Sequence, residues 1–268
     1  MFVSIRWMAL ACVALVMALT IPMARAGDEE PYGPPPPPPP APLIFYASQS
    51  GQQTYDQADG GGNPFASALI ELMEQPGMTL GELPRALTEL TKLKSEGFQR
   101  PDAPQDVEPA DWRFRPKPVD ERRVALVLVV SDYAASHGAL SLSGARTDAG
   151  RISQALRDAG FLTRTVLDPN HAQLKATLEE FAARSAAADI AVLYTTGHGV
   201  EVDNEAHLLL GDFPVEEGNR ALTRHAVRLS AIADAVKARR ANLVLYGACR
   251  DNPFADWPAD PTQAQRQP

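Results

Sequence analysis

From residue 122 to residue 249 the chain alternates unbroken apolar runs with stretches whose apolar residues recur every three or four positions. Seven consecutive apolar residues follow Arg123, from Val124 to Val130, and such a run predicts a strand buried on both faces. Shorter runs predict further strands over residues 161–167, 189–194, 207–210 and 242–246. The stretches between them have helical spacing. Ile152, Leu156 and Ala159 share one face of a helix expected over 146–159, with Gly160 at its C-cap. Leu174, Leu178 and Phe181 form the buried stripe of a helix expected over 170–187, and a third is expected over 229–239. Strands and helices alternating in this way are βαβ units, so the pattern predicts an α/β fold with a mostly parallel sheet and helices on both faces.

The same reading divides the rest of the chain. Leu43 to Ser48 predicts a strand, and helices are expected over 64–74 and 80–94. Their apolar faces, Leu69 and Leu72 on the first and Leu83, Leu87 and Leu90 on the second, need a core to enter, because two helices alone bury little surface. Residues 27–42 are acidic and then proline-rich, with seven prolines from Pro34 to Pro40, which favours an extended spacer. Residues 101–121 read as a second linker and residues 255–268, rich in Pro and Gln, as a disordered tail. The first 26 residues have Arg6 ahead of an apolar stretch from Trp7 to Ile21, then Ala24-Arg25-Ala26 before Gly27. That is the pattern of a signal peptide, and it implies a secreted or periplasmic protein without a stable membrane span; a retained anchor is the alternative, for which the stretch is short.

Two of the predicted strands end in residues with chemistry. The run at 189–194 leads into Thr195-Thr196-Gly197-His198-Gly199, and the run at 242–246 into Gly247-Ala248-Cys249-Arg250-Asp251. In a parallel sheet, neighbouring strands project their C-terminal ends into one crevice, so an imidazole and a thiol fifty-one positions apart can meet there. A free thiol is largely protonated near neutral pH, and a His at hand can take its proton and release the nucleophilic thiolate. The bland alternatives are a packed cysteine and a loop histidine.

The two strand ends together resemble the His and Cys motifs of the caspase-like (clan CD) cysteine peptidases, especially the bacterial caspase-domain proteins. Gly144-Ala145-Arg146-Thr147-Asp148-Ala149 is similar to the segment that opens the first helix in that family. The resemblance implies a caspase-like three-layer sandwich and a cysteine endopeptidase acting on peptide or protein substrates without metal or organic cofactor. Cys249 and His198 would form the catalytic dyad, and the N–H groups of Gly199 and Cys249 the oxyanion hole. Asp148, Thr196 and Gly247 match positions that line the substrate pocket. Basic-specific members carry an Asp where this chain has Gly247, so one pocket carboxylate is lost. Asp148 either still favours a basic side chain or serves only as an N-terminal partner of its helix.

The family also continues beyond its Cys motif into a smaller subunit-like region, whereas here only 255–268 follow. The likeness to that region is at the other end: the strand at 43–48, Gly51-Gln52, the glycines 60–62 and Asn63-Pro64-Phe65 opening a helix. The chain therefore resembles a circularly permuted caspase domain, with residues 43–100 as the small-subunit-like segment and 122–254 as the catalytic one. Chain ends at exposed loops are tolerated sites for such a change.

Charge and cysteine count narrow the partners. Removal of residues 1–26 takes two of the 25 basic residues and none of the 33 acidic ones, which leaves a net charge of about −10 and makes nucleic acid an unsuitable partner. It also takes Cys12, so Cys249 is left as a single thiol that cannot form an intramolecular disulfide. A pseudo-peptidase that binds a partner through the same cleft, and a structural envelope protein, are the alternatives to an enzyme; oligomeric state is not legible.

Overall fold

The apolar runs become neighbouring strands of one sheet. A computed structural model describes residues 37–57, 61–136 and 139–254. The signal-peptide segment, most of the proline-rich spacer, residues 58–60, 137 and 138, and the 255–268 tail lie outside the described residues. In chain order the elements are β1 (Leu43–Tyr46), α1 (Pro64–Glu74), α2 (Leu83–Lys94), β2 (Arg123–Val129), α3 (Ser143–Asp158), β3 (Leu162–Leu167), α4 (His171–Ala186), β4 (Ile190–Thr196), β5 (Gly199–Val202), β6 (Glu205–Leu209), a 3-10 turn (Val215–Ala221), α5 (Leu222–His225), β7 (Ala226–Arg228), α6 (Leu229–Ala233) and β8 (Ala241–Tyr246).

Five strands form the main sheet in the order β1-β8-β4-β2-β3, with every pairing parallel. Period-two alternation sends successive residues to opposite faces. Ala125, Val127 and Val129 of β2, Val192 and Tyr194 of β4, and Leu243 and Leu245 of β8 pack under α1, α2 and α3. Leu126 and Leu128, Ala191 and Leu193, and Val244 and Tyr246 pack against α4 and α6. The result is the expected three-layer α/β sandwich.

β1 lies along β8, with Leu43 opposite Leu243 and Tyr46 opposite Tyr246. The Ala47 N–H donates to Tyr246 O at 2.9 Å and carries the pairing one residue further. α1 is capped by Asn63, whose side chain accepts from the Phe65 N–H, and Pro64 suits the first turn because it has no N–H to satisfy. Phe65, Leu69 and Met73 of α1 and Leu83 and Leu87 of α2 enter the same core as α3.

Three expectations need correction. Residues 101–121 are a packed strap and not a loose linker: Val107, Trp112 and Phe114 are buried in the α1–α3 core. Its backbone is bonded to the α1–α2 connection, with the Leu80 N–H donating to Trp112 O at 2.7 Å and the Gly81 N–H to Ala110 O at 2.8 Å. Arg123 pins it further by donating to Phe114 O, Arg113 O and the buried Glu121. The helix expected over 229–239 stops at Ala233. Beyond it side chains take the backbone groups a helix would use: Ser185 Oγ donates to Ala235 O and accepts from the Lys237 N–H, and Asn242 Oδ1 accepts from the Ala238 N–H. Finally, the strand expected at 207–210 is the middle of a separate antiparallel sheet, β5-β6-β7. Asp203 and Asn204, both at positive φ, turn β5 back into β6.

Candidate active site

β4 and β8 lie side by side at the centre of the sheet, and the candidate residues follow their C-terminal ends. The Gly247 N–H donates to Thr195 O at 2.8 Å, which keeps the two chains paired past the end of β8. Gly199 closes the gap. A Cβ there would lie 2.5 Å from Cys249 O and 2.8 Å from the Ala248 Cβ, and closer still to the Tyr246 hydroxyl, so only glycine lets the His198 turn touch the Cys249 turn. His198 and Cys249 line one cavity, together with Thr196 and Gly247 from the same strand ends and Thr54, Asp56 and Asn63 from the N-terminal segment.

His198 is held on three sides. Its N–H donates to the Tyr133 hydroxyl at 2.7 Å, and that hydroxyl donates to Leu209 O at 3.0 Å. The Tyr133 ring stands edge-on to the imidazole with centroids 4.5 Å apart. Burial pushes the Tyr133 phenol far above its ordinary range, so it stays a neutral hydrogen-bonding group. Nε2 lies 2.8 Å from Leu140 O. A carbonyl only accepts, so Nε2 carries the proton and Nδ1 keeps its lone pair for proton transfer.

Cys249 is half-buried, and burial pushes its thiol above the ordinary value. Hydrogen bonds from Thr54 oppose that shift and the Asp251 carboxylate adds to it. The next residue anchors the turn. Arg250 is buried, donates to Asp102 at 2.8 Å and to Ser48 O at 3.2 Å, pairs with Glu201, and lies 3.9 Å above the Tyr46 ring. Burial alone would weaken its charge, and the two carboxylates more than offset that. Tyr246 completes the anchor by donating to His207 O at 2.9 Å.

The expected pocket residues separate. Thr196 and Gly247 are on the cavity wall. A Cβ at Gly247 would press on Thr196 Oγ1 and Tyr194 Oη at 3.1 Å, so there is little room for a second carboxylate at that position. Asp148 is fully buried behind the wall and does not line the cavity. It sits inside α3, accepts from the Asn63 N–H at 2.8 Å and pairs with Arg151 at 3.1 Å, while Arg151 also donates to Ser67 of α1. Burial raises its carboxyl to about 6 against the pull of Asn63 and Arg151. Its visible work is to join α3 to the start of α1.

The carboxylate that does face the cavity is Asp56, which accepts from the Gly144 and Ala145 N–H groups at 2.9 and 2.8 Å in the first turn of α3. Sequence reasoning missed Asp56, Thr54, Tyr133 and Leu140, because each acts on a partner tens of positions away and none sits in a motif. Among the described residues, no cluster of His, Cys, Asp and Glu is placed to hold a metal ion, and no helix is long and apolar enough to cross a membrane.

A sequence model of the caspase domain, peptidase family C14, matches residues 122–267. That is more than half of the 268-residue chain, and the chain belongs to this family. The matched stretch holds both His198 and Cys249 and leaves out β1, α1 and α2. A comparison with curated proteins returned no match.

Proposed function

We propose that this member of the caspase-domain family is a secreted or periplasmic cysteine endopeptidase of circularly permuted order, with Cys249 as nucleophile and His198 as its acid–base partner. The observation that carries the reading is the meeting of His198 and Cys249 on one cavity at the ends of adjacent central strands. Nδ1 of His198 takes the thiol proton as Sγ bonds to the peptide carbonyl carbon. The tetrahedral oxyanion is received by the N–H groups of Gly199 and Cys249. Its collapse breaks the C–N bond, and the imidazolium gives its proton to the departing amine. Water then attacks the thioester with His198 as base, and the C–S bond breaks to return the thiol. Loss of an oxyanion donor typically lowers such rates about 10²- to 10³-fold.

For the side chain preceding the cleaved bond, the reading is a basic one. Asp148 is neutralised by Arg151 and turned away, so Asp56 is the carboxylate available to it. The permuted order is supported by β1 lying beside β8 and by the docking of Asn63 and α1 on Asp148.

The burial that raises the Cys249 thiol favours a second reading, a caspase-like module that binds peptides without cleaving them. A peptide-based electrophile and a fluorogenic peptide library separate the two. The peptidase reading expects labelling at Cys249 and hydrolysis that Cys249→Ala and His198→Ala each abolish. Full hydrolysis by Cys249→Ala would end it, and peptide binding with neither labelling nor hydrolysis would establish the binding module.

A further inference from the structure

Thr54 belongs to none of the elements that carry His198 or Cys249, and it lies outside the stretch matched by the family. Yet its main-chain N–H reaches Cys249 Sγ at 3.3 Å, and its hydroxyl stands 3.5 Å from the same atom. The contact is braced by bonds that do not involve Thr54. The Arg250 N–H donates to Gln52 O at 2.9 Å, the Gly51 N–H donates to Arg250 O at 3.1 Å, and the Gln53 side-chain amide donates to Asp251 at 2.7 Å. Residues 51–54 are thus stitched to residues 249–251, and the two donors are in place before the thiol ionises.

Their effect depends on the state of the sulfur. A thiolate only accepts, so both the N–H and the hydroxyl of Thr54 can donate to it. The protonated thiol has the Thr54 carbonyl as acceptor, at 3.9 Å, which is a long contact. These contacts therefore favour the ionised form, against the burial that raises the thiol. We infer that Thr54 is a third residue of the catalytic site, supplied by the N-terminal segment, whose two donors hold the thiolate of Cys249. This inference rests on the reading of Cys249 as the nucleophile. The other groups that bear on the sulfur are His198 and Asp56 on the same cavity, Asp251 beside it, which works against ionisation, and the buried phenols of Tyr133 and Tyr246.

The test compares the full-length protein with Thr54→Val, which removes the hydroxyl, and Thr54→Ser, which keeps it. The rate of alkylation by iodoacetamide is followed from pH 5 to pH 10 and resolved by mass spectrometry of the Cys249 peptide. The midpoint of that profile reads ionisation, whereas its plateau reads access. In Thr54→Val the midpoint is expected to rise, so that alkylation near pH 7 falls about three- to tenfold, while Thr54→Ser keeps the wild-type midpoint. An unchanged midpoint in Thr54→Val would overturn the inference, and so would an equal rise in Thr54→Ser. If circular dichroism shows that Thr54→Val does not fold, Thr54→Ala replaces it in the same comparison. No peptide substrate enters the assay. A protein that gives the expected midpoints and hydrolyses nothing retires the peptidase reading alone, and one that hydrolyses peptides with unmoved midpoints retires the Thr54 inference alone.

Discussion

Deleting residues 1–100 is expected to leave residues 101–268 unable to fold. The deletion removes β1, α1 and α2, and with them Phe45, Phe65, Leu69, Leu72, Met73, Leu80, Leu83 and Leu87, each at most 3% exposed. Full burial of a side chain of this size is worth roughly 1.5–3 kcal/mol, so the set contributes on the order of 12–24 kcal/mol. About half is a fairer figure, roughly 6–12 kcal/mol, because α1 and α2 pack partly on each other and unfolded chains already bury some apolar surface. A whole domain of this kind is stable by only about 5–15 kcal/mol. The deletion also strips β8 of one of its two neighbours and uncovers Trp112 and Phe114, so the loss takes most or all of the margin. The assay is urea unfolding of the full-length protein and the fragment, followed by near-ultraviolet circular dichroism, with limited proteolysis as a second probe. The fragment should show no cooperative transition and should be digested throughout. A soluble 101–268 fragment that unfolds cooperatively and hydrolyses peptides would show that the N-terminal segment is an appendage, and the permuted order would fall with it.

Tyr133→Phe leaves the His198 N–H and Leu209 O without their buried partner, which is expected to cost about 1–3 kcal/mol in urea unfolding and to lower kcat more than it changes KM. An unaltered kcat would mean that the phenol does not position the imidazole. Gly199→Ala should separate the His198 and Cys249 turns and reduce labelling of Cys249 by a peptide electrophile at least tenfold, because the new Cβ has no space against Cys249 O; wild-type labelling would refute the close approach. Asp148 gives a pH signature. Its native carboxyl keeps its proton up to about 6, whereas the unfolded one releases it near 3.8, so its contribution favours folding at low pH. That contribution declines by roughly 2–3 kcal/mol as pH rises through the window between those two values. Asp148→Asn should flatten the change in urea midpoint between pH 4 and pH 6.5, and a variant with the wild-type slope would refute the assignment.

The fold was legible where each residue's role depends on its near neighbours in sequence. The buried strands announced themselves as apolar runs because both faces of β2, β4 and β8 are covered, and the helix at 170–187 was announced by its stripe, to which the structure adds a capping box between Asn170 and Gln173. The strand read over 161–167 is the edge strand β3, whose Leu162 and Leu167 are exposed. What escaped was decided by distant partners. The strap at 101–121 looks like a spacer because its prolines and acids are common in linkers; its burial depends on Trp112, Phe114 and the guanidinium of Arg123, whose combination has no local period. The end of α6 escaped for the same reason, because Ser185 and Asn242 compete for its backbone, and the strand expected at 207–210 forms as β6 with antiparallel partners that were not read. In the site, His198 and Cys249 were legible from their strand ends. The duties of Asp148 and Asp56 were not, because which carboxylate faces the cavity depends on which one α1 covers.

The order of segments along the chain bears on how the site is built. His198 and Cys249 come from one half of the molecule, and Thr54, Asp56 and Asn63 on the same cavity come from the other. β1 meets the sheet only at β8, as an edge strand, so its place is fixed by that pairing and by the core under α1 and α2, and not by which segment it follows. The connection between the halves is free to lie anywhere that its buried residues find cover, and here it runs as a strap across the α1–α2 turn. Arg250 ties the arrangement to the chemistry. One side chain, next to Cys249, holds Ser48 from the N-terminal half, Asp102 from the strap and Glu201 from the hairpin beyond His198. Loosening the N-terminal half would release Thr54 from the thiol and Arg250 from the Ser48 carbonyl and the Tyr46 ring together. The surroundings of Cys249 are therefore coupled to the docking of residues outside its own segment.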